Sequence, residues 1–225
     1  MGYKGIIFDF NGTLFWDSEK HELAWKRFSK DLRGHELSDE EIRLNVHGRT
    51  NKVILEYILE KTFTDNSFET LSKEKEKVYR DMCLDDIASF KLAPGATKLF
   101  DYLKEKHIPF TIATASGKEN VLFFIEKFNL DKWFDTDKII FDDGTILGKP
   151  EPDMYIKASK ALNLDPKDCI VFEDAISGVE AARRANIGKI IVIAPTEKEY
   201  LFKNLSSVSG TIVDFNFNKE FLELD

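Results

Sequence analysis

Residues 3–13 read YKGIIFDFNGT and contain the segment that decides the fold. The apolar run at 3–10 is continuous rather than alternating, which predicts a strand buried on both faces, as in a parallel sheet covered by helices. Asp9 comes near the end of this run, where removing a carboxylate from water is costly unless a cation or hydrogen-bond donors compensate. The position of Asp9 therefore indicates a metal ion or a reaction at the end of the strand.

Three similar apolar runs follow the first one and extend the pattern along the chain. They lie at 110–115, 169–172 and 189–194, and helix-like stretches are found at 96–106, 120–128, 152–161 and 176–185. Strands that alternate with helices predict an α/β fold with a Rossmann-like parallel-sheet core.

A long insertion separates the first two apolar runs. Residues 16–89 carry several amphipathic helical patterns and no convincing strand, and the connection is far longer than a crossover requires. The sequence therefore predicts a core domain of residues 1–15 and 90–225 with an α-helical cap domain, residues 16–89, inserted into it.

Composition excludes several classes of protein. The chain has 225 residues, of which 43% are hydrophobic and 12% aromatic, unlike disordered chains. A net charge of −8 argues against a nucleic-acid partner. No apolar run is long enough to span a bilayer and no secretory leader is visible, so we expect a cytoplasmic monomer with no membrane partner. Cys83 and Cys169 lack a CxxC spacing, which predicts reduced, buried thiols.

Polar groups follow the other predicted strands, and ligands gather at the carboxyl ends of parallel strands. The stretch 114–118, TASGK, places hydroxyls and a glycine at a helix start, which suits an anion or an ordinary N-cap. Lys149 lies between turn residues in GKPEPD, where an ammonium suits a phosphate. Glu173 and Asp174 are paired acids, and oxygen-only ligation favours Mg²⁺.

These groups together suit the transfer of a phosphoryl group to a carboxylate. Asp9 would be the nucleophile, and Mg²⁺ would lie between Asp9, Asp174 and a phosphate oxygen. Lys149 and Thr114 would bind the remaining phosphate oxygens.

Four motifs, FDFNGT, TIATAS, GKPEPD and FEDAISG, occur in this order, and together they resemble the haloacid dehalogenase-like superfamily. The resemblance is to the branch with a helical cap after the first strand, which contains β-phosphoglucomutases and small sugar-phosphate phosphatases. It implies that Asp9 is the nucleophile. It also implies two sets of binding residues: Thr114, Ala115, Ser116 and Lys149 for phosphate, and Asp9, the backbone carbonyl of Asn11, Glu173 and Asp174 for Mg²⁺.

Asn11 departs from the family pattern, which has a second acid two residues after the nucleophile. Asparagine cannot exchange a proton with a leaving oxygen or a water molecule. Acid–base help of this kind is worth about 10² to 10⁴ in rate, so turnover of alkyl phosphates should fall, while metal binding by the backbone carbonyl should survive. Three explanations of Asn11 remain open. The chain is an engineered variant, a natural enzyme that uses another acid or an activated leaving group, or a non-catalytic binding protein.

Substrate specificity is expected in the cap, which can exclude water and contact the part of the substrate that does not react. By the resemblance, His21 is the strongest candidate, and Arg49 could bind a second phosphate or be an ordinary surface arginine. Lys75 is a further candidate, because the mutases have a lysine in a later cap helix, but it lies in the charged run 73–77, which we interpret as a solvated helix face. Asp17 or Ser18, behind an unusual Trp16, takes the place of a threonine contact of the mutases, which argues against a glucose phosphate as substrate.

The sequence thus predicts an Mg²⁺-dependent phosphatase. Its substrate would be a small phosphorylated metabolite such as a sugar phosphate, and the reaction would proceed through an aspartyl phosphate. Two alternatives remain, a β-phosphoglucomutase-like mutase and a non-catalytic module that binds a phosphorylated metabolite.

Overall fold

Six parallel strands form one sheet in residues 2–224, the part of the chain that the computed structural model describes. The strand order is β3-β2-β1-β4-β5-β6. The strands are β1 (Gly5–Phe8), β2 (Phe110–Gly117), β3 (Ile140–Asp142), β4 (Cys169–Glu173), β5 (Lys189–Ile193) and β6 (Gly210–Ile212). Phe8 lies opposite Ile112 of β2 and Phe172 of β4, so the carboxyl ends of the three central strands meet at one edge.

Helices cover both faces of the sheet and also form the long insertion. They are α1 (Ser18–Arg33), α2 (Asp39–Asn45), α3 (Asn51–Leu59), α4 (Phe68–Asp85), α5 (Ala96–Glu105), α6 (Lys118–Phe128), α7 (Asp153–Ala161) and α8 (Ile176–Arg184). The four helices α1–α4, here called the helical segment, lie between β1 and β2. The predicted Rossmann-like α/β fold with inserted helices is confirmed, whereas the domain limits at 15/16 and 89/90 stay a prediction.

The continuous apolar run of β1 has the expected physical cause, since Ile7 and Phe8 face opposite sides of the sheet and both are fully buried. Phe8 belongs to the core on one face, where its ring stacks on Phe172 with centroids 5.3 Å apart and meets the edge of Phe100 at 5.5 Å. Ile7 belongs to the core on the other face. A third core lies within the helical segment around Trp25.

Cys83 and Cys169 are both buried free thiols, and burial raises the pKa of each to about 12. Within residues 2–224, none of the helices combines the length and the apolar character needed to cross a bilayer.

Replacement of Phe8 by alanine should strongly destabilise the fold. Phe8 is fully buried and contacts aromatic rings from β2, β4 and α5, so Phe8→Ala should lower the free energy of unfolding by about 3 to 5 kcal/mol. Urea denaturation measures this change. Leu122, which is 55% exposed, gives the control Leu122→Ala, expected within about 0.5 kcal/mol of the unsubstituted chain. Equal losses in the two variants would contradict the assignment of Phe8 to the core.

Candidate active site

A buried lysine joins the ends of two neighbouring strands. Lys149 precedes α7, and its Nζ donates to Oδ1 of Asp9 at 2.5 Å and to Oε1 of Glu173. The hydroxyl of Tyr155 in α7 donates to the same Glu173 oxygen at 2.6 Å. Lys149 is 1% exposed and Glu173 is fully buried, so this cluster places charged groups inside the protein.

Burial and mutual repulsion shift the pKa values of the acids in this cluster. Loss of hydration raises the pKa of Asp9 to about 7, and the Glu173 carboxylate adds to the rise while Lys149 opposes it. Burial, together with Glu173 and Asp9, raises the pKa of Asp174 well above its usual value. The pKa of Lys149 is raised, because the attraction of Asp9 and Glu173 outweighs the burial that would lower it.

The arrangement of the acids suits a divalent cation. Asp9, Glu173 and Asp174 each offer an oxygen, and these oxygens lie within 4.8 Å of one another. Three carboxylates face the single ammonium of Lys149, so negative charge is in excess. Gly12 leaves room for the Asp174 side chain, because a Cβ at position 12 would lie 2.0 Å from Oδ2 of Asp174. Its φ of +83° also favours glycine. Carboxylate ligands at this spacing fit a hard dication.

Asn11 connects the end of β2 with the helical segment. Its Oδ1 accepts hydrogen bonds from Ser116 Oγ at 2.7 Å and Thr114 Oγ1 at 3.3 Å. Its Nδ2 donates to Oδ2 of Asp17 at 2.6 Å and lies 3.3 Å from Nε2 of His21. Neither hydroxyl of the TASGK stretch caps α6, so the ordinary N-cap alternative does not describe these side chains.

A cavity of about 90 Å³ lies between the sheet edge and the helical segment. Ten of the candidate residues named from the sequence line it: Asp9, Asn11, His21, Arg49, Thr114, Ala115, Ser116, Lys149, Glu173 and Asp174. Arg49 is half-buried, and its guanidinium donates to the backbone carbonyl of Lys149 at 2.9 Å. This bond links the helical segment to the loop that carries the buried ammonium.

The interpretation of Lys75 as part of a solvated helix face is wrong. Lys75 is 1% exposed, and its Nζ lies 3.0 Å from Nδ1 of His21 and 2.9 Å from Oε1 of Glu76. The reason is the packing of α4, since Lys75 begins a stripe at four-residue spacing that continues with the fully buried Tyr79 and Cys83. This four-residue spacing is the sequence signal that could have identified the buried face.

Sequence reasoning also missed polar residues that hold the cavity together. Glu76 accepts from Asn51 Nδ2 at 2.7 Å and from Asn120 Nδ2 at 2.6 Å. Although burial opposes it, the nearby Lys75 ammonium and the hydrogen bond from Asn120 lower the pKa of Glu76 to about 2. Tyr79 donates its hydroxyl to Oδ2 of Asp17. No local motif marks these residues, because their partners are distant in sequence.

Loss of the Lys75 ammonium should destabilise the protein. Lys75→Met leaves the buried Glu76 carboxylate without its cation, so the free energy of unfolding should fall by about 3 to 5 kcal/mol at neutral pH. The matched variant Lys75→Met/Glu76→Gln removes both charges and should recover most of this loss. Urea denaturation of the three proteins measures the effect, and a double variant as unstable as the single one would contradict the ion pair.

Comparison with known proteins places this geometry in a family. Residues 3–186 match the family described as haloacid dehalogenase-like hydrolase. The crystal structure of HAD hydrolase, family IA, variant 3 from Entamoeba histolytica is similar to this chain, with a TM-score of 0.85 and 43% identity over 97% of each chain.

Two named relatives match most of the chain. The phosphorylated carbohydrates phosphatase of Thermotoga maritima is 29% identical over 189 residues, 83% of each chain. The beta-phosphoglucomutase of Bacillus subtilis is 28% identical over 190 residues, 82% of this chain and 80% of its own. The extent of the family match, together with the sheet order and the acidic cluster, shows that the chain belongs to the haloacid dehalogenase-like hydrolases.

Proposed function

We propose that the protein is a phosphatase that acts on a small phosphorylated sugar through an aspartyl phosphate. The observation that carries this proposal is the buried Asp9–Lys149–Glu173 cluster at the carboxyl edge of the sheet. The phosphorylated carbohydrates phosphatase of Thermotoga maritima supports the substrate class. The net charge of −8 is consistent with a small metabolite rather than nucleic acid.

In this proposal Asp9 is the nucleophile. Lys149 binds Oδ1 of Asp9, which orients the carboxylate and leaves Oδ2 to attack phosphorus as the ester P–O bond breaks. Lys149, Thr114, Ala115 and Ser116 form the phosphate-binding edge, where ammonium and hydroxyl donors offset the phosphate charge.

We propose Mg²⁺ as the cation of the acidic cluster. Its ligands would be Asp9, Glu173, Asp174 and the backbone carbonyl of Asn11. When bound, Mg²⁺ supplies positive charge against the transferred phosphoryl group. The excess of carboxylates over ammonium groups supports this assignment, because the buried acids are otherwise poorly compensated.

Recognition of the sugar is assigned to the proposed cap, residues 16–89, above the proposed core of residues 1–15 and 90–225. His21, Arg49 and Lys75 bring polar groups to the cavity, and Trp25 contributes an apolar wall with its ring 4.7 Å from the Lys75 ammonium. A cavity of about 90 Å³ favours a small substrate.

Mg²⁺ should stabilise the protein more strongly as the pH rises. A pKa of Asp9 raised from 3.8 to about 7 means that ionisation weakens the metal-free fold, so its stability falls as the pH rises across that range. Because metal binding needs ionised carboxylates, saturating Mg²⁺ should raise Tm by about 5 °C or more near pH 8 and by much less near pH 5. Thermal unfolding with Mg²⁺ or with a chelator measures this difference. Asp174→Asn should abolish the shift, and a shift that is independent of pH would contradict the assignment.

Phosphate release from a panel of sugar phosphates and aryl phosphates tests the proposed function. Asp9→Ala should be inactive on every substrate. Asn11→Asp should raise kcat/KM for alkyl phosphates by about 10² or more, because the new carboxyl group can protonate the leaving oxygen. It should change kcat/KM for p-nitrophenyl phosphate little, because that leaving group needs no proton.

Two outcomes favour other functions. Transfer of phosphate between hydroxyls of one sugar, without net release, would identify a mutase, as in the relative from Bacillus subtilis. Binding of phosphorylated sugars with Mg²⁺ but no turnover in the unsubstituted chain would favour a non-catalytic module, the possibility that Asn11 raises.

A further inference from the structure

We propose that Asp17 is the general base that activates water for hydrolysis of the aspartyl phosphate, an inference that rests on the proposed function. Its carboxylate lies beside the position that lacks an acid, with Oδ2 accepting from Nδ2 of Asn11 at 2.6 Å. Asp17 is 1% exposed, and its Oδ1 accepts from the backbone N–H of Gly12 at 3.1 Å. The carboxylate is therefore fixed against the segment that carries the nucleophile.

The hydrogen bonds of His21 exclude this residue as an alternative base. The lysine side chain is a donor, so Nδ1 of His21 accepts from Lys75 at 3.0 Å and the ring proton lies on Nε2. Nε2 then faces Oδ2 of Asp17 at 3.4 Å as a donor. In this tautomer neither ring nitrogen has a free lone pair for a proton from water.

The remaining neighbours of Asn11 also fail as bases. Tyr79 donates its hydroxyl to Asp17, and burial together with Asp17 raises the pKa of Tyr79 well above its usual value. Thr114 and Ser116 are hydroxyl donors to Asn11. Among the side chains of residues 2–224 shown in contact with that of Asn11, Asp17 is thus the remaining proton acceptor. Its Oδ2 already accepts from Asn11 and Tyr79, so the proton from water would go to Oδ1, which accepts from the Gly12 N–H.

Asp17 lines a second cavity, next to the cavity of the site. A cleft of about 760 Å³ is lined by Gly12, Trp16 and Asp17 and by the loop that follows β5. It shares Ser18, His47 and Asp174 with the smaller cavity of the site. The two cavities therefore adjoin, and Asp17 lines the larger one beside Ser18, which lines both.

The proposed step converts the aspartyl phosphate and one water molecule into inorganic phosphate and the free Asp9 carboxylate. The water oxygen forms a bond to phosphorus while the bond from phosphorus to the Asp9 oxygen breaks, and that electron pair restores the Asp9 carboxylate. The proton lost by water moves to the carboxylate of Asp17 and then to solvent in the cleft. Inorganic phosphate leaves, and both aspartates return to their starting state.

Pre-steady-state kinetics with p-nitrophenyl phosphate and Mg²⁺ separate this step from formation of the phosphoenzyme. Asp17→Asn should keep the stoichiometric burst of nitrophenolate, because Asp9 and Lys149 are unchanged. Decay of the phosphoenzyme should slow by about 10² or more, so that intact-mass analysis detects the phosphorylated chain. The matched control is Asp86→Asn, which removes an exposed carboxylate from the same cleft. The phosphoenzyme of this control should decay at the same rate as that of the unsubstituted chain.

The exchanged variant Asn11→Asp/Asp17→Asn decides between a chemical and a structural role of Asp17. It keeps one amide and one carboxylate in contact, but the carboxylate is at position 11 and the amide at position 17. Recovery of phosphoenzyme decay in this variant supports the proposal. Normal decay in Asp17→Asn overturns it, and so does a common loss of burst and decay that the exchange fails to recover. If the unsubstituted chain forms no phosphoenzyme at all, the proposed function fails together with this inference.

Discussion

The ammonium of Lys149 between Asp9 and Glu173 is the interaction on which the rest of the site depends. It joins the ends of two adjacent strands to the loop before α7, and all three side chains are nearly or fully buried. Taking such groups out of water costs several kcal/mol per ion unless the geometry compensates. The backbone N–H groups of Asp174 and Ala175 donate hydrogen bonds to Oε2 of Glu173. The backbone therefore compensates the buried carboxylate together with the lysine.

The same loop also positions the helical segment. Because Arg49 donates to the carbonyl of Lys149, the residue that holds the nucleophile is bonded to the segment that closes over the cavity. A displacement of the helical segment would therefore change the contacts of the loop that presents the ammonium. Through this bond, a ligand that binds to the helical segment could change the position of Lys149 and so of Asp9.

The sequence predicted the central strands and the strand-end residues because both follow from burial. A strand covered on both faces is apolar along its buried length, as in β1 and residues 169–172 of β4, and a polar group at its end then stands out. The edge strands β3 and β6 escaped prediction because each has three half-buried residues, and one of them is Asp142. Lys75 was misassigned because its burial depends on α4 packing against α1, which charge patterning alone does not encode.

The surroundings of Asn11 change the interpretation of this residue. Judged from the motif alone it is a lost acid, but in the structure both ends of its amide have suitable partners, two hydroxyls for Oδ1 and a carboxylate for Nδ2. A second carboxylate at position 11 would face Asp17 at hydrogen-bond distance and repel it unless the pair shared a proton. The amide and the carboxylate of Asp17 are therefore mutually dependent, since the donor at position 11 stabilises an acid at position 17. This dependence involves residues six positions apart together with Tyr79 of α4, which is why no local motif could show it.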